Sequence, residues 1–144
     1  MANWKRVDTN YTLQEAIEAA KTDLEILADD MGNWRDNMDG TGLENTSKYE
    51  DVSDCADSLE QGIDTLGDID VPEFLRGVQV KVSEFKDQKA GWRILDAVVS
   101  RLNDSAESLR NDSKLKENDE AQLFAEELEG ASSELDGIDF PGMY

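Results

Sequence analysis

Carboxylates are the only reactive groups that this sequence holds in abundance. The 144 residues carry 34 Asp and Glu against 14 Lys and Arg, one cysteine and no histidine. Without histidine the commonest general base and metal ligand is missing. One cysteine, Cys55, cannot build a zinc site alone. It stands beside Ala56 on an apolar seam, the usual place of a structural thiol. Adjacent acids such as Asp29/Asp30 and Glu126/Glu127 have no apolar pocket to raise a carboxyl pKa, so they belong to solvated faces. A di-metal carboxylate bundle needs inward glutamates and Glu-x-x-His pairs, which are missing. No glycine-rich phosphate loop follows a strand, because no strand is expected. The sequence therefore reads as a non-enzyme with no catalytic residue, cofactor or dedicated metal centre.

One stretch tests that reading. WRDNMDGTGLENTSKYEDV, residues 34–52, gathers acids, amides and glycines as a calcium loop would. An EF-hand loop needs oxygen ligands at positions 1, 3 and 5, glycine at 6 and glutamate at 12. Placing Gly40 sixth puts Arg35 first; starting at Asp36 puts Met38 third and Thr41 sixth. Neither register works, so the glycines are turn residues. Asp36, Asp39 and Glu44 remain as a weak cation site at most.

The acids form rows. On the first helix expected below, Glu18, Glu25, Asp29 and Asp36 share a face away from the apolar stripe; on the second, Glu50, Asp54, Asp57, Asp64 and Asp68 do the same. Glu120, Glu127 and Glu134 recur every seven residues on the fourth. Carboxylates one or two helical turns apart are roughly 5–10 Å apart. Phosphates on a DNA strand, which rises about 3.4 Å per nucleotide along an oblique path, have comparable spacing. Such rows can occupy a site built for a phosphate backbone, held by charge-assisted hydrogen bonds from Lys and Arg. The net charge of −20 must cost stability through self-repulsion. It is uneven: −13 in residues 1–72 and −7 in residues 73–144. The partner-binding residues are therefore placed on the first two helices. Acidic faces also keep helices soluble, and 19 Asp with only 8 Lys would suit a high-salt cytoplasm.

Four helices must position these rows. Apolar residues alternate at steps of three and four along Leu13, Ile17, Ala20, Leu24, Leu27, Met31, Trp34 and Met38; along Tyr49, Val52, Ala56, Leu59, Ile63 and Leu66; along Trp92, Leu95, Val99, Leu102, Ala106 and Leu109; and along Ala121, Phe124, Leu128, Ala131, Leu135 and Ile138. Thr12 with Glu15 and Ser47 with Glu50 spell capping boxes, and Asn118 or Asp119 can cap the fourth helix. Asp70, Pro72 and Glu73 open a short connecting helix at about 72–87, with Leu75, Val78, Val82 and Phe85 inward. The alternation Val78, Val80, Val82 also permits a strand there, the less favoured reading. Gly91 marks a break before the third helix.

The expected fold is all-α: two tandem αα-hairpins, about 12–70 and 89–139, docked as a four-helix bundle within a single domain, 1–144. DTLGDIDVP, residues 64–72, aligns at an offset of 69 within SSELDGIDFP, residues 132–141, from Ser133 on, and the first and third helices align at 75. The halves thus look like an internal duplication. Homodimerisation is the other way to bury four single stripes.

A lone cysteine excludes an intrachain disulfide and fits a reducing cytoplasm. The N-terminal MANWKRVDTN is too polar for a signal peptide, and no apolar run approaches the roughly 20 residues of a membrane span. No block is basic enough to bind nucleic acid or a membrane directly.

The run WRDNMDGTGLENTSKYEDVSDCADSLE, residues 34–60, resembles a stretch in short acidic helical proteins of tailed phages. That resemblance implies an origin rather than a mechanism, and small phage proteins that disarm host enzymes become a natural class. The expected function is inhibition of a host nucleic-acid-binding defence protein by DNA or RNA mimicry, in the host cytoplasm. The alternative is a structural or adaptor protein, such as a phage assembly component, acting through Trp4, Trp92 or residues 73–87.

Overall fold

The computed structural model describes residues 6–38, 46–85 and 91–138. Strand β1 (Arg6–Thr12) runs into helix α1 (Leu13–Met38), followed by α2 (Ser47–Gly67), a single 3₁₀ turn (Glu73–Leu75), strand β2 (Gln79–Phe85), α3 (Gly91–Asn111) and α4 (Asp119–Asp136). The chain is mostly helical, with a small two-stranded sheet.

The four apolar stripes form the core. On α1, Leu13, Ile17, Ala20, Leu24, Leu27, Met31 and Met38 are buried, with Trp34 packed half-buried beside them. Val52, Ala56, Leu59 and Leu66 of α2, Leu95, Leu102, Ala106 and Leu109 of α3, and Ala121, Phe124, Leu128, Ala131 and Leu135 of α4 join the same cluster. Each fully buried leucine contributes about 1.5–3 kcal/mol relative to an exposed one.

The helix starts follow local chemistry. Thr12 and Glu15 form the capping box: Glu15 N–H donates to Thr12 Oγ1 at 3.2 Å, and Thr12 N–H donates to Glu15 Oε1 at 3.0 Å. At α2 the cap is Thr46 and not Ser47, its Oγ1 accepting from Tyr49 N–H at 3.3 Å. The box expected of Ser47 and Glu50 is one residue out of register. Asn118 caps α4 by accepting from Ala121 N–H at 3.0 Å.

The expected helix at about 72–87 is not formed, and the chain is not all-α. Only Glu73–Leu75 turns, and Gln79–Phe85 is a strand antiparallel to β1, pairing Arg6 with Phe85 and Thr12 with Gln79. The physical reason lies in the alternation. Val80, Val82 and Glu84 are buried while Gln79 and Lys81 are exposed, a period of two that a helix cannot satisfy. The partner is β1, rich in the β-branched and aromatic Val7, Thr9, Tyr11 and Thr12. The alternation Val78, Val80, Val82 permits this strand as the less favoured reading; a lone strand has no ladder, so the partner decides for it. The Leu13 N–H extends the ladder to the Val78 carbonyl at 2.8 Å. Ser83 N–H, facing away from β1, is capped by Asp104 Oδ2 of α3 at 2.9 Å.

Helices α1 and α2 are antiparallel: Arg35 near the end of α1 meets Asp57 in mid-α2, and Leu24 lies against Gly62. A Cβ on Gly62 would run into the buried Leu135 of α4, so glycine lets three helices close together there. Helix α3 packs on α4, α1 and β2. Its link to α4 is held by Gln122 Nε2, which donates to the carbonyls of Leu109 at 3.2 Å and Leu115 at 3.0 Å. No helix among the described residues is long and apolar enough to cross a membrane.

Candidate functional site

Glu18 and Asp36 are 18 residues apart on α1, five helical turns or about 27 Å. Glu50 and Asp68 span the same length at α2. At roughly 100° per residue both rows point away from their buried stripes. All nine carboxylates, of Glu18, Glu25, Asp29, Asp36, Glu50, Asp54, Asp57, Asp64 and Asp68, are exposed. Glu18 accepts a hydrogen bond from Gln14 Nε2 at 2.9 Å. Among the described residues only Asp57 of the nine meets a basic side chain, Arg35 at 3.6 Å, and it remains 63% exposed. That pair has the geometry of a surface ion pair, worth about 0–1 kcal/mol. The structure thus sets both rows on the outer faces of one antiparallel helix pair.

Charge is divided unevenly among the helices. Helix α1 carries seven acids and two bases, α2 six and one, α3 three and three, and α4 seven acids and no base. The row of Glu120, Glu127 and Glu134 on α4 is also exposed. The neutral helix, α3, packs against α1, α4 and β2. There Arg110 pairs with Glu129 of α4.

The second constellation was not visible in the sequence. Arg101 of α3 is only 5% exposed, and Glu84 of β2 only 6%. Arg101 Nε donates to Glu84 Oε2 at 2.9 Å, and its Nη1 donates to Asp23 Oδ2 and to the Ala19 carbonyl on α1. Tyr11 of β1 donates its hydroxyl to the other Glu84 oxygen at 2.6 Å, and its ring lies 5.9 Å from the guanidinium. Burial acts to lower the Arg101 pKa, but the Asp23 hydrogen bond and charge, then the charges of Glu84 and Tyr11, hold it above its usual value. Burial, then the bond to Glu84, raises the Tyr11 phenol above 10.0. Two carboxylates answer the guanidinium's charge, and three of its five N–H donors are used within the fold. Its effect is to tie both strands to α1 and α3. The available signal was Glu84 in step with Val80 and Val82, which points inward only if the segment is a strand.

Beside this cluster, Asp8, Lys81, Ser83, Asp104 and Glu107 line an open polar cleft of about 430 Å³ between β2 and α3. Within it Lys81 pairs with Asp8 at 3.5 Å. No group of three or more Asp, Glu, Cys or His among the described residues could hold a metal ion. Of the weak cation site, Asp36 is exposed near the end of α1, while Asp39 and Glu44 lie outside the described residues. Trp4 and the Trp92 side chain also lie outside them. Cys55 is buried on α2 next to Ala56. No protein-family model, curated protein or solved structure matches the chain.

Proposed function

We propose that this chain is a non-enzymatic acidic protein of tailed-phage type. In this reading it acts in the host cytoplasm, binds the basic groove of a nucleic-acid-handling host protein and excludes its DNA or RNA. It touches neither nucleic acid nor membrane itself. The observation that carries the reading is the pair of five-turn carboxylate rows, exposed and, among the described residues, almost free of neighbouring bases. Helices hold those carboxylates at phosphate-like intervals with the backbone already ordered, which lowers the cost of binding. Counterion release would make the association fall steeply with salt.

The test is capture of partners from bacterial lysate on the immobilised chain, washed at low and high salt, beside the triple variant Asp54→Lys, Asp57→Lys and Asp64→Lys. A nucleic-acid-binding protein retained at low salt, lost at high salt and lost by the folded triple variant is the expected result. Undiminished capture by that variant would remove the α2 row from the site. Capture of structural proteins at both salts would favour an adaptor or assembly role. That second reading has its own support in Leu123, Phe74 and Ile26, which are 65%, 47% and 48% exposed. A homodimer that persists in high salt would point the same way. Unfolding at low salt with no partner would instead mark a halophilic protein.

We also infer that the two halves arose by duplication of a β-α-α unit. Strands β1 and β2 start 73 residues apart, and their middle residues, Thr9 and Val82, pair with each other at that same offset. A two-fold axis through the sheet would produce this register. The helix offsets of 75 and 69 fit the same order of elements. A set of related sequences with no internal match at these offsets would remove the inference.

A further inference from the structure

We draw no further inference here: the strongest candidate, the open polar cleft between the outer edge of β2 and α3, is a cluster of acids in which Asp8 and Asp104 are already engaged by Lys81 and the Ser83 N–H, and nothing in the structure points to a ligand for it.

Discussion

The carboxylates of this protein occupy two opposed settings. Glu84 and Asp23 face a buried guanidinium and answer its charge at hydrogen-bond distance. Glu25, Asp29, Asp54 and Asp64 face water and meet no basic side chain among the described residues. In the first setting low dielectric makes each charge indispensable to its partner. In the second, water and salt screen each charge, and removing one changes little in the fold. The contrast separates two uses of charge: the cluster holds the sheet to the helices, and the rows stay exposed, where the proposed partner would meet them.

The largest effect is expected at Arg101. Arg101→Ala leaves Glu84 buried without its cation, and loss of one partner in a buried pair costs about 3–5 kcal/mol. Denaturant unfolding measures this directly. The double variant Arg101→Met with Glu84→Leu should recover most of the loss, since apolar replacement of a buried pair is often neutral. If Arg101→Ala unfolds at the wild-type midpoint, the two settings do not differ as described.

Next is the platform beneath the rows. Gly62→Ala forces Leu135 from its place between α1, α2 and α4 and should cost about 1–3 kcal/mol despite the gain in helix propensity. Gly32→Ala on α1, where a Cβ meets nothing, should instead stabilise by about 0.5–1 kcal/mol. Equal and favourable changes in the two would mean that the helices do not close at Gly62.

The rows should be almost silent in the same assay. Each lysine of the Asp54, Asp57, Asp64 triple should alter stability by no more than about 0.5 kcal/mol. The sign should be favourable in low salt, because six units of charge difference relieve the self-repulsion of a chain at −20. A triple variant that melts early would show these acids to be structural.

The helices were legible in the sequence because a stripe of apolar side chains is a local property, repeated over five or more turns. Even the half-buried edge residues Trp34, Tyr49 and Ile138 follow it. The carboxylate rows were legible for the same reason, as residues opposite a stripe. The sheet was legible only as the less favoured reading: Val78, Val80 and Val82 alternate, but the partner that decides for a strand, β1, lies more than 70 residues earlier. Reading 72–87 as a helix put Glu84 out of step with Val80 and Val82. The buried cluster then vanished with the strand. Its four members come from four elements, so no spacing in the chain announces them.

Alkaline pH probes the cluster more gently. The folded state keeps the Tyr11 proton beyond the pH at which an unfolded tyrosine releases it. The resulting stability is complete below about pH 10 and is lost as pH rises through the folded value. Unfolding curves should therefore weaken above about pH 10, and Tyr11→Phe should remove that part of the slope. An unchanged slope would place the Tyr11 hydroxyl away from Glu84.

The smallest effect belongs to Glu15, an exposed acid that differs from the row acids by having fixed N–H and hydroxyl neighbours. Its carboxylate accepts from Thr12 N–H, and that bond first, then the Thr12 hydroxyl, holds its pKa below 4.5. A depressed carboxyl contributes stability above its unfolded value, lost as pH falls through the folded one. Exchange of the first-turn amides of α1 should accordingly quicken as pH falls below about 4.5, after correction for intrinsic rates, and Glu15→Gln should flatten that dependence. An NMR titration that finds the Glu15 carboxyl not lowered from 4.5 would show that the box does not hold in solution.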